Sequence, residues 1–227
     1  RAETLAKLRE VLADARGFPA RRAAYARAQS RALAAHPLAL EALQPLFRRE
    51  AVLTLAADRA SDILAAIDLA AEFKLRVAIV GGSEAWKVAD ALARAQIPVI
   101  LEPTQNLPTS FDNMGARLDN AALLHRAGVT VVLAAPGGTH NLRNLTQGAG
   151  IAVANGLPWA AALTAVTLAP AKTYGVDASH GSVAVGKVAN LVVWDGDPFE
   201  FSSAPTTVYV RGVAVSKRSR QTLLRDR

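Results

Sequence analysis

The chain has no cysteine, which excludes disulfide staples, thiolate nucleophiles and thiolate metal sites. Aromatic residues supply only 5% of its 227 positions. Such scarcity disfavours an aromatic-rich all-β core and favours alanine-rich helices packed closely on a buried sheet. No apolar run reaches about 18 residues free of charge, so no segment reads as a membrane-spanning helix. The sequence opens at Arg1 with RAETLAKLREVLADA, a charged amphipathic helix without a leader-peptide core or cleavage site. Any targeting peptide is expected to be absent or removed upstream. Zero cysteines suit a cytoplasm and a periplasm equally, and the compartment stays open.

What is present is an ordinary globular balance, 51% hydrophobic and 20% charged, with a net charge of +7. The distribution of that charge argues against nucleic acid as a partner. Residues 1–50 hold 10 Lys/Arg against 5 Asp/Glu, and the tail from Lys217 holds 5 against 1, so the excess lies at the two ends. It is interleaved with Ala and Leu, without the aromatic stacking partners that single strands need. A solvated surface, or packing on an acidic partner, fits better.

Three zones follow along the chain. Residues 1–50 carry only helical periodicity (Leu5, Leu8, Leu12; Leu40, Leu43, Phe47), with Pro19, Pro37 and Pro45 as expected breaks. Residues 51–176 alternate short apolar runs (AVLTLA, RVAIVGG, IPVILEP, VTVVLAAPGG) with amphipathic helices, one of them opening at Ser61 as a plausible cap. Continuously apolar runs, each followed by a helix, mean parallel strands buried on both faces, here four βα units where a closed barrel needs about eight. Residues 177–227 change to alternating segments with Gly and Asp turns, GSVAVGKVANLVVWDGDP and TTVYVRGVAV, the pattern of antiparallel strands followed by a basic tail.

ALTAVTLAPAKTYGV, GSVAVGKVANLVVWDGDP and VYVRGVAV together resemble the C-terminal signature of the amidohydrolase superfamily, in its imidazolonepropionase-like branch. Thr167, Pro170, Ala171, Gly181, Ser182, Gly186, Lys187, Ala189, Leu191, Val192, Val193 and Asp195 match that pattern, and Asn190 stands where Asp is usual. The resemblance spans about residues 50–216. It implies the C-terminal half of a TIM-like (β/α)8 barrel, an α/β fold, plus strands of a small β-sandwich in which Gly181 and Gly186 serve turns. It also implies a hydrolase of non-peptide carbon–nitrogen bonds that uses zinc or another divalent metal.

By the same resemblance, metal ligands should end barrel strands five, six and eight. Ala56, then Gly81 or Gly82, then Ala134 or Ala135 stand at those places, and none offers a lone pair. No metal ligand and no cofactor is therefore expected from this chain. Three functional readings stay open: an amidohydrolase whose chemistry comes partly from elsewhere, a non-catalytic homologue serving as a binding or scaffold module, and a diverged enzyme using a metal-free pocket built from Glu84, Asp58 and His140. The catalytic candidates are Glu84, His140 and Asp58, the polar groups that follow strand ends. Each has a structural alternative: a helix cap for Glu84, a loop ion pair with Arg59 for Asp58, backbone satisfaction in PGGTHN for His140. Gln105, Asn106, Asn141 and Arg143 are candidates for binding a small-molecule ligand, Asp112 and Asn113 sit in the same long loop, and Gly137-Gly138 is a weak anion-binding signal. His36, His125 and His180 read as surface or capping residues. Four parallel strands leave open edges, so the expected partner is the N-terminal half of the same protein or a further copy of the chain.

Overall fold

The computed structural model describes residues 2–135, 137, 139–216, 218 and 220–225; the side chains of Thr139 and His140 fall outside that description. The N-terminal zone forms three helices, α1 (Ala2–Ala26), α2 (Pro37–Ala42) and α3 (Gln44–Phe47). Pro37 and Pro45 occupy first-turn positions, where no N–H is required. Pro19 departs from expectation, because α1 runs straight through it. A proline there leaves the Ala15 carbonyl without its intrahelical donor. The side-chain amide of Gln44, at the start of α3, donates to that carbonyl at 2.7 Å. A contact from a distant helix thus replaces the bond that local rules say is missing.

The same zone is tied by Asp14, whose side chain is fully buried. Its carboxylate accepts from the Ala34 N–H at 2.9 Å, from Arg21 at 3.2 Å and from both terminal nitrogens of Arg31. Burial opposes ionisation, but these donors outweigh it and hold the carboxyl below its ordinary value. Leu12 and Leu46 carry the zone into the main core.

Four strands, β1 (Leu53–Ala57), β2 (Val77–Gly81), β3 (Val99–Leu101) and β4 (Val131–Leu133), pair in parallel in that order. Helices α4 (Ala60–Phe73), α5 (Ala89–Ala95) and α6 (Asn120–Arg126) connect them and cover one face. Val77, Ile79, Val99, Leu101, Val131 and Leu133 face those helices in the main core. The opposite face carries Ala78, Val80, Ile100, Val132 and Ala134, a smaller cluster closed by Ala169. This is part of a TIM-like barrel, with helices outside and a small-residue lining inside. Helix α4 opens at Ala60, one residue before the expected cap, and Ser61 does not cap it. The carboxylate of Glu84, from the next βα loop, accepts the Ala60 N–H at 3.0 Å instead.

Beyond β4 come α7 (Leu145–Ala154), α8 (Trp159–Val166) and α9 (Leu168–Tyr174), the last ended by Gly175 in the left-handed conformation. The antiparallel sheet β5 (Leu191–Trp194), β6 (Pro205–Val210), β7 (Val213–Ala214) follows, then α10 (Arg220–Arg225). Residues 182–190 do not extend β5, because Lys187 folds them into a turn, its ammonium donating to Asp177 O at 2.6 Å and Ser182 Oγ at 2.7 Å. Gly181 and Gly186 take positive φ in that turn. Asn190, the departure from the resembled pattern, accepts the Arg211 N–H through Oδ1 at 2.9 Å, a role a carboxylate fills equally well. The sheet docks on the barrel part where Trp159 donates to Asp197 at 2.9 Å and its ring meets Phe199 at a centroid distance of 5.4 Å.

Replacing Gln44 by Ala is expected to destabilise the N-terminal zone by about 1–2 kcal/mol, since a buried carbonyl loses its donor; chemical denaturation of the intact protein measures this. Asp14→Asn is expected to cost about 1–3 kcal/mol. Because the Asp14 pKa is lowered on folding, its contribution is present above the ordinary carboxylate range and fades as pH falls through the lowered value. A wild-type stability advantage over the Asn variant that does not shrink on acidification would contradict that assignment.

Candidate active-face cleft

The C-terminal ends of β1 and β2 are locked to one another. The Gly82 N–H donates to Ala57 O at 2.9 Å, and the Glu84 N–H to Asp58 O at 2.8 Å. In return, the Asp58 carboxylate accepts the Ser83 N–H at 3.1 Å and the Ser83 hydroxyl at 2.6 Å. Two left-handed glycines let the chain turn this sharply. A Cβ on Gly81 would lie 2.8 Å from Asp58 Oδ1, and one on Gly82 2.7 Å from Val99 Cγ1. Asn120, fully buried on α6, fastens the turn from behind by donating to Gly82 O at 2.9 Å.

Above this lock lies a cleft of about 470 Å³, lined by Asp58, Gly81, Ser83, Glu102, Gln105, Asn106, Thr109, Asn113, Gly137 and Asn141. A larger cavity of about 570 Å³ sits at the opposite, N-terminal ends of the strands, among Arg49, Lys74, Arg76 and Lys172. Arg76 there is spent on main-chain carbonyls, including Thr173 O at 2.9 Å. Barrel chemistry belongs to the C-terminal face, so the smaller cleft is the candidate site.

Glu102 is the charged cleft residue that sequence reasoning passed over, along with the hydroxyl residues Ser83 and Thr109. Ile100 faces inward and Leu101 faces the helices, so strand alternation returns Glu102 to the inner side. The Ala134 N–H donates to Leu101 O at 2.8 Å, which sets Glu102 beside Ala134 at the barrel mouth. Its carboxyl is half-buried and has no hydrogen-bond or ion-pair partner among the described residues. Burial alone pushes its pKa above the ordinary value. The sequence signal for it was the period-two pattern carried one residue past IPVIL.

Of the residues singled out from sequence, Asp58, Gln105, Asn106, Asn113 and Asn141 come together in the cleft. Asn106 is held there by its side-chain amide donating to Arg117 O. Glu84 is engaged elsewhere. One carboxylate oxygen takes the Ala60 N–H and the other pairs with Lys87 at 2.6 Å. The Lys87 ammonium first, then the Ala60 N–H, hold its carboxyl below the usual range. Glu84 thus caps α4, not the helix it opens. Arg59 ion-pairs with Asp112 at 2.8 Å, not with Asp58. Arg143 is exposed and does not line the cleft. The His140 side chain and Gly138 lie outside the described residues, so neither those candidates nor the Gly137-Gly138 anion signal is resolved by the geometry. His36 caps α2, accepting the Leu38 N–H at 3.3 Å, and His125 and His180 are exposed. Among the described residues, no three His, Cys, Asp or Glu side chains assemble into a metal-binding group.

Comparison with known proteins gives a consistent set of likenesses. The sequence profile of the amidohydrolase family matches residues 84–215. A crystal structure of an amidohydrolase from Thermotoga maritima MSB8 superposes with a TM-score of 0.84 at 30% identity, covering 96% of this chain and 57% of that one. The amidohydrolase tasK of Hapsidospora irregularis is 35% identical over 92 residues, 40% of this chain and 9% of that protein. An adenosine deaminase from Xanthomonas campestris, solved with bound zinc, shares the fold at a TM-score of 0.53 and 19% identity, covering 76% of this chain and 48% of that one. The chain spans little more than half the length of the Thermotoga maritima protein and less of the others.

Glu84→Ala should lower stability by about 1 kcal/mol through the lost cap of α4, while ligand binding in the cleft survives. Thermal melts paired with a binding assay on the variant check both halves.

Proposed function

We propose that this chain, which belongs to the amidohydrolase family, forms part of a barrel whose strand-end cleft binds a small polar molecule for hydrolysis of a non-peptide carbon–nitrogen bond. The observation that carries this reading is the cleft itself. Two carboxyls and four side-chain amides converge at the C-terminal rim of a parallel sheet, where barrel proteins of every chemistry place their reacting groups. The remaining strands are supplied by another segment of the same protein or by a further copy of the chain. The edges of β1 and β4, unpaired among the described residues, support this, since open parallel edges invite strand addition.

The residues present do not suit a divalent metal on these strands. Ala56 ends β1 on the inner face, Val80 and Gly81 end β2, and Ala134 follows β4. A metal bound at these strand ends needs side-chain nitrogen, oxygen or sulfur donors there, and these side chains supply none. No step is therefore assigned to a metal held by this chain. The same residues favour a second reading, a homologue that binds through the cleft without turning its ligand over.

Metal analysis of the assembled protein, followed by turnover assays on small amides and lactams, separates the readings. The expected result is no stoichiometric metal bound by residues 51–135, with turnover reduced at least tenfold in Asp58→Asn. A stoichiometric divalent ion whose spectroscopic ligands map to these strands would overturn the metal-free assignment. Ligand binding without turnover would select the second reading.

A further inference from the structure

We propose that Glu102 is the ligand-recognising carboxyl of the cleft, and that it takes a small molecule presenting a protonated amine or another N–H donor. This rests on the cleft being the binding site and adds the class of ligand.

The two carboxyls that line the cleft are not equivalent. Asp58 is already committed, because one of its oxygens accepts both the N–H and the hydroxyl of Ser83 and so fixes the β1–β2 rim. Glu102 has no such employment. It projects from the inner side of β3 with no protein donor to satisfy it among the described residues. A half-buried carboxyl without a partner is costly unless something fills the vacancy. Among the described residues the cleft offers no internal remedy, because no Lys or Arg side chain lines it and Asp58 is the only other charged group facing in. An anionic ligand would meet two carboxyls and no cation. A cation or N–H donor would meet the acceptor that Glu102 leaves open, while Gln105, Asn106 and Asn141 receive its polar remainder. The upward displacement of the Glu102 pKa agrees with this placement, and binding a cation should draw it back down.

The test uses three four-carbon probes that differ in head group, n-butylamine, n-butyramide and n-butyrate, added to the intact protein carrying [13Cδ]-labelled glutamate. The Glu102 signal is identified by its loss in Glu102→Gln, a variant of nearly equal shape whose fold is checked by its melting temperature. Butylamine should shift that signal and bind roughly tenfold or more tightly than butyrate. Glu102→Gln should weaken butylamine roughly tenfold to a hundredfold and butyramide by less, because the Gln side-chain oxygen still accepts a neutral N–H but lacks the charge that pairs with an ammonium. Glu102→Asp should retain the amine preference, and butylamine affinity should fall on acidification through the Glu102 titration. Probes that shift the Asn106 and Asn113 amides yet bind Glu102→Gln as well as wild type, or butyrate binding best, would overturn this proposal and leave the cleft reading intact. If no probe shifts those amides, the cleft reading falls and this proposal with it.

Discussion

The crosswise tie between the ends of β1 and β2 is the contact on which the cleft depends. Asp58 accepts twice from Ser83, the main chain between Ala57 and Glu84 is joined by two further bonds, and Glu84 reaches back to cap α4. Each carboxylate in this lock meets donors from a neighbouring βα loop. The first two loops are therefore tied to each other, and the rim they form is held by protein contacts alone. Rigid placement matters because binding groups held in position lose little freedom when they are used.

Around that lock the sheet divides its labour by face. The outer face carries the large aliphatic side chains and packs under α4, α5 and α6, the usual arrangement for parallel strands. The inner face carries a smaller cluster, in which Ala56, Ala78 and Ala134 stand beside Val80, Ile100 and Val132. Glu102 stands at the mouth of that face, one residue past β3 and level with Ala134.

The C-terminal sheet shows why the matched motif was so readable. Lys187 fixes a turn, Asn190 and Asp195 accept main-chain N–H groups from the neighbouring segment, and Trp159 with Phe199 seats the sheet against α8. Every one of these polar residues satisfies backbone or a nearby ring. The signature is thus chiefly a folding signature, and it identifies the family without identifying the reaction.

The sequence by itself determined the four βα units, the antiparallel tail and the family, because each is written in local periodicity and in turn residues at fixed spacing. Pattern also placed Asp58, Gln105, Asn106 and Asn141 at one rim, since residues following parallel strands share one end of the sheet. Tertiary structure alone decided which polar groups are already spent. Pro19 lies within a continuous helix because Gln44 arrives from α3, Glu84 is a cap because Ala60 and Lys87 lie beside it, and among the described residues Glu102 has no partner because no Lys or Arg lines the cleft. Hydrogen-bond satisfaction is a property of neighbours distant in the chain, and no local pattern encodes it.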